Sequence, residues 1–84
     1  MSEYENLLNE YKDFWNAVRL MREDKKPHTI VLKNGEKLTG VYSNEEAPGD
    51  DDRGVGCLYI MTETIRRFLF ADEFDSIDPE VVTA

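Results

Sequence analysis

Ile30-Val31-Leu32-Lys33-Asn34-Gly35-Glu36-Lys37-Leu38-Thr39-Gly40 is the stretch that decides the fold. Asn34-Gly35 is the strongest short hairpin signal a sequence offers, since both positions accept the positive φ of a two-residue type I′ turn. Ile30 and Leu32 alternate with Thr29, Val31 and Lys33 on the first arm. Leu38, Gly40 and Tyr42 alternate with Lys37, Thr39, Val41 and Ser43 on the second. This is period-2 patterning on both arms of one turn. Gly40 inside the second arm predicts a bulge, a bend or a close backbone approach. A strand that bends there lets a small sheet curl towards a barrel.

Upstream, Ser2 to about Arg22 reads as one amphipathic helix. Ser2 with Glu5 three residues on has the form of a capping box. Tyr4, Leu7, Leu8, Tyr11, Phe14, Trp15, Val18 and Met21 fall at helical spacing. They are expected to cover the sheet. Arg19, Arg22, Lys25 and Lys26 complement the helix C-terminal dipole, and Pro27 stops the helix. The predicted helical region is 2–24.

Downstream, residues 44–56 read as an acidic, breaker-rich loop. Its segment 44–53 holds five acids and one Arg. A calcium loop fails on register. With Asp50 and Asp52 at positions 1 and 3, Gly54 falls at 5, and Met61 stands where the closing Glu is required. The loop is therefore expected to be a solvated, mobile tip. Cys57 to Thr62 is a nearly continuous apolar run, suited to a strand covered on both faces. Ile65 to Phe70 is a further strand, Ala71-Asp72-Glu73 a turn, and Phe74 to Ile77 a short last strand. Residues 78–84 read as a tail.

Eighty-four residues make one domain, here 1–84 with a barrel over 28–77. The net charge is −8. Residues 1–43 balance seven acids against seven bases, so all the net charge falls in 44–84. Such a surface repels phosphate and weakens sequence-independent nucleic-acid binding. A single Cys and a single His, far apart, give neither a disulfide nor a metal-ligand spacing. His28 has no second His, reactive Cys or arranged carboxylate near it in sequence, so no nucleophile–base set is visible. No cofactor, metal or enzymatic activity is expected. No apolar run approaches about 18 residues. The sequence predicts a soluble, cytoplasmic protein without a membrane span.

One helix followed by five short strands, with a tight hairpin near the start, is the order of the Sm-like (LSm) fold. Ile30-x-Leu32-Lys33-Asn34-Gly35-x-x-Leu38-x-Gly40-x-Tyr42 resembles the first motif of that family. Phe68-Leu69-Phe70-Ala71-Asp72-Glu73-Phe74-Asp75-Ser76-Ile77 is similar to the second. The family's second motif carries an Arg-Gly that helps bind a base, and Phe70-Ala71 stand there instead. The resemblance implies a mainly β fold with an N-terminal α-helix: a five-stranded, strongly bent antiparallel sheet forming a small open SH3-like barrel. It also implies a homo-oligomeric ring of about five to seven subunits. Single-stranded RNA is the ligand implied, with Tyr42, Asn44, Arg66 and Arg67 as candidate contacts. Ile65, Phe68, Phe70, Phe74 and Ile77 are the candidate subunit interface. The alternative is a scaffold or adaptor ring whose acidic face meets a basic protein partner.

Overall fold

A computed structural model describes residues 2–78. The elements in order are α1 (Glu3–Glu10), α2 (Lys12–Asp24), β1 (His28–Leu32), β2 (Lys37–Glu46), β3 (Cys57–Met61), β4 (Arg66–Phe70), a short 3-10 turn (Ala71–Glu73) and β5 (Phe74–Ile77). The five strands form one antiparallel sheet in the order β4-β3-β2-β1-β5. β4 and β5 do not pair, so the sheet is not closed. Among the described residues no helix is long and apolar enough to cross a membrane. The expected tail, apart from Asp78, lies outside the described residues.

The helical region is two helices rather than one. Ser2 accepts the Glu5 N–H at 3.1 Å, as an N-cap should. At Tyr11 the backbone leaves the helical region (φ −109°, ψ 39°). Neither proline nor glycine stands there. The break falls where the apolar stripe loses its cover: α1 buries no residue, whereas α2 buries Phe14, Ala17, Val18 and Met21. Of the two helices it is α2 whose stripe enters the core. α2 ends with Lys25 in the left-handed region, two residues ahead of Pro27.

The hairpin forms where the sequence places it, but through a different turn. Gly35 N–H donates to Leu32 O at 2.9 Å, and Leu32 N–H donates to Glu36 O at 2.8 Å. Gly35 has φ +90°, while Asn34 is not among the positive-φ residues. The connection is thus a three-residue loop, Lys33-Asn34-Gly35, closed by a left-handed glycine. The Asn34 side chain accepts the Glu36 N–H at 2.9 Å, and this fixes the loop without a left-handed Asn.

β2 belongs to both halves of the sheet. Residues from Lys37 to Gly40 pair with β1, and residues from Val41 to Glu46 pair with β3. Gly40 sits at the hand-over. A Cβ built there would lie 2.4 Å from the Met61 carbonyl oxygen, so the close approach requires glycine. The register shift itself falls between Tyr42 and Asn44, not at Gly40.

The core lies between α2 and the inner face of the sheet: Phe14, Val18 and Met21 against Ile30, Leu58, Ile60 and Leu69, each at most 1% exposed. Burying each such side chain contributes about 1.5–3 kcal/mol. Phe14 meets Phe74 edge-on, with ring centroids 5.9 Å apart.

The acidic loop is not a free tip. β2 runs to Glu46, which shortens the loop to residues 47–56. Asp51 is buried, at 9% exposure. Its carboxylate accepts backbone N–H groups of Gly56 (2.7 Å), Arg53 (3.2 Å) and Val55 (3.3 Å). One acid of the run therefore organises the loop from inside, where three donors offset its desolvation.

Candidate functional site

Strand alternation sorts β3 and β4 into two faces. Leu58, Ile60 and Leu69 point inward. Register places Met61 opposite Arg66, Tyr59 opposite Phe68 and Cys57 opposite Phe70 on the outer face. There Phe68 is 54% exposed and Met61 44%, and Ile65, just before β4, is 55% exposed. Three of the five large exposed apolar residues thus share one region of the described chain. The rings are in contact: Tyr59 and Phe68 have centroids 5.9 Å apart, Phe68 and Phe70 5.6 Å. Two guanidinium groups flank them, Arg66 at 4.5 Å from the Tyr59 centroid and Arg53 at 4.8 Å from that of Phe70. Arg53 also donates to both Asp72 carboxylate oxygens, at 3.0 and 3.1 Å, so its charge is met within the chain.

β4 is also a free edge. A groove of about 400 Å³ runs along it towards the first hairpin, lined by Leu32, Glu36, Leu38, Arg53, Arg67 and Phe70 among others. β5 is the opposite edge. Beside it a groove of about 360 Å³ opens under α2. Ala17, Leu20, Phe74 and Ile77 give it an apolar lining, and Asp13 and Asp75 make it acidic.

The residues expected to contact RNA do not converge. Tyr42 packs against the core and donates its hydroxyl to Glu45 at 3.0 Å, while burial pushes its phenol up. Asn44 is exposed on the outer face, in register with Tyr59. Arg66 and Arg67 are adjacent on a strand and so take opposite faces. Arg66 lies over Tyr59, whereas Arg67 donates to Glu36 at 2.5 Å. Of the residues expected at an interface, Ile65 and Phe68 are exposed and Phe70 is half-buried. Phe74 turns into the core, and Ile77 is half-buried in register with Ile30. Sequence reading missed Tyr59 and Arg53. A signal was present. The run 57–61 is apolar at every position. The strand expected to be covered on both faces is fully covered only on the inner one, by Leu58 and Ile60. On the outer face Tyr59 is half-buried and Met61 exposed, because one short helix covers one face.

His28 is engaged on both ring nitrogens. Nδ1 lies 2.5 Å from Asp78 and Nε2 2.8 Å from Asp24. Asp78 further accepts the Thr29 N–H at 2.9 Å and gives its own N–H to Thr29 O at 2.8 Å. This clasp joins the end of α2, the start of β1 and the end of β5. Two facing carboxylates require both nitrogens to donate, which only the imidazolium does. The hydrogen bond to Asp78 raises the His28 pKa most; burial opposes it, and Asp24 adds to it. The Lys26 N–H foremost, and then His28, hold Asp24 low against burial. Burial works against Asp78 ionising, but His28 and the Thr29 N–H outweigh it.

No protein-family model, curated protein or solved structure matches the chain.

Proposed function

We propose that the chain is a non-catalytic small-barrel module of Sm-like type that assembles head to tail, the β4 edge of one copy against the β5 edge of the next. The observation that carries this reading is the unlike character of the two edges. β4 brings Arg66 and Arg67 on a strand with no proline and no bulge to blunt it. β5 brings an apolar groove with Asp13 and Asp75 on its rim. The edge that carries both arginines, although Arg67 is also paired with Glu36, meets an acidic groove. This favours the head-to-tail contact over like-with-like pairing, and a head-to-tail contact that closes gives a ring. Support also comes from the order β4-β3-β2-β1-β5 behind an N-terminal helical region. The single imidazole, held between two carboxylates, is not free for base catalysis.

RNA capture is the second reading. The exposed Phe68 beside Arg66 and Tyr59 favours it, since bases stack on aromatic and guanidinium planes. The surrounding carboxylates work against phosphate, so assembly ranks first.

Size-exclusion chromatography with light scattering is the test. A discrete oligomer is expected, shifted towards monomer by Arg67→Glu or by Asp75→Lys and restored in the double variant, where each edge again meets its complement. A monomer at every concentration sinks the proposal. Titrating the same peak with a labelled uridine-rich oligonucleotide at low and physiological salt separates the two readings. Binding that weakens as salt rises supports RNA capture, and no binding at low salt leaves the assembly module alone.

A further inference from the structure

The outer face of the β3–β4 arm holds a cavity that the fold leaves unfilled. Register sets Glu46, Cys57 and Phe70 in one row across β2, β3 and β4, and Asn44, Tyr59 and Phe68 in the next. The loop brings Asp51 and Asp52 against these rows. Three rings (Tyr59, Phe68, Phe70) and three carboxylates (Glu46, Asp51, Asp52) line a cavity of about 230 Å³. That is below the roughly 300–1,000 Å³ of pockets for drug-sized ligands, and suits the end of one side chain.

Rings together with carboxylates are the chemistry that holds an organic cation. The ring faces attract positive charge through their quadrupoles, and the carboxylates add Coulomb attraction in a partly dry site. The rings already behave this way within the chain, since Arg66 lies over Tyr59 and Arg53 over Phe70. Phe68 touches both rings and, among the described residues, has no cation on it. Glu46 accepts the Tyr59 hydroxyl, Asp51 is committed to backbone N–H groups, and Asp52 is exposed. The local field is negative. Burial above all pushes the Cys57 thiol up to about 11, with Glu46, Asp51 and Glu73 adding to it. The hydrogen bond to Glu46 above all pushes the Tyr59 phenol up to about 12. Among the described residues no three His, Cys, Asp or Glu side chains are arranged to hold a metal ion. A phosphate chain would face the carboxylates.

We propose that this cavity receives a lysine or arginine side chain of a basic protein partner, its cation against Phe68 and its charge met by Glu46 and Asp52. A protein rather than a free small cation is favoured by the exposed Met61 and Ile65 on the same arm, which a small ion would leave uncovered and a polypeptide would cover. Phe68 and Phe70 belong to the edge strand β4, but the cavity opens on the face of the sheet rather than along the strand's unpaired backbone, so the site does not rest on the assembly reading.

The test is an NMR titration of the intact protein with acetyl-Gly-Lys-Gly-amide, its arginine counterpart and a glutamine control. The cationic peptides are expected to move the resonances of Tyr59, Phe68 and Glu46 with millimolar affinity, weaker at high salt, and the glutamine peptide to move none. Phe68→Leu, which keeps an apolar side chain but removes the ring, should weaken binding about fivefold. Glu46→Gln keeps an acceptor for Tyr59 and should weaken it similarly. The proposal is overturned if the glutamine peptide binds equally or if the shifts fall elsewhere on the molecule. It is also overturned if tetramethylammonium binds while neither peptide does, or if a uridine oligonucleotide occupies the same resonances more tightly than the peptides.

Discussion

The chain builds two hairpins, β1–β2 and β3–β4, with the same inner face and different outer faces. Inside, Ile30 and Leu38 match Leu58, Ile60 and Leu69, all nearly inaccessible. Outside, the first hairpin carries Thr29 and Thr39, whose hydroxyls hydrogen-bond at 2.8 Å, and the exposed Lys37. That is the usual solvent face of an antiparallel sheet. The second carries Tyr59, Met61 and Phe68. A core requires only one apolar face per hairpin. The second apolar face is therefore a surplus that a single core does not require.

The sharpest way to break this comparison is to cut both faces of the second hairpin. Ile60→Ala should cost about 2–5 kcal/mol in urea denaturation, because it opens a cavity in a fully buried layer. Phe68→Ala should cost less than about 1 kcal/mol, as an exposed substitution does. Equal losses would mean that the outer face is structural after all.

The next largest effect concerns the wall of the outer face. Asp51→Ala strips acceptors from three backbone N–H groups, that of Gly56 buried, and should cost about 1–3 kcal/mol in the same assay. Amide exchange should speed up in residues 51–56 first. Unchanged exchange there would show that the loop does not depend on Asp51.

The pH dependence tests the clasp beside the first hairpin. His28 has a raised pKa, so its stabilisation is complete below the unfolded imidazole value of about 6.5 and is lost as pH climbs through the folded value above it. Asp24 and Asp78 are depressed, so theirs is present above about 3.9 and is lost as pH falls through the lower folded values. Stability from the clasp should peak between these limits. Because His28 is the one histidine, its imidazole titration can be read directly by NMR. A midpoint at or below the unfolded value would remove the clasp as a source of stability. His28→Gln should flatten the alkaline limb and leave the outer face of β3–β4 untouched.

The smallest effect belongs to α1. Ser2→Ala removes the N-cap of a helix that buries nothing, and should cost up to about 1 kcal/mol, seen as lost helical circular dichroism without a shift in the sheet signal.

The local order of elements was legible from the residues because it rests on short-range chemistry. Alternation from Thr29 to Tyr42 fixed which side chains face the core. Asn34-Gly35 fixed where the chain reverses and Pro27 where the helix stops, and Gly40 marked the place of a bulge, a bend or a close backbone approach. Sequence could not choose between a two-residue turn and a three-residue loop, since both accept Asn-Gly and only the strand register separates them. Nor could it see the break at Tyr11, which depends on how far the sheet extends beneath the helix. Asp51 reads like its neighbours Asp50 and Asp52 until folding turns it inward onto three N–H groups. The outer-face cavity is the clearest case. Glu46, Asp51, Asp52, Tyr59, Phe68 and Phe70 come from two strand pairings and a loop, and only the register across β2, β3 and β4 together with the course of the loop sets three rings against three carboxylates. Residue types and spacing determined the elements; which surfaces remained uncovered was decided by where one short helix could lie.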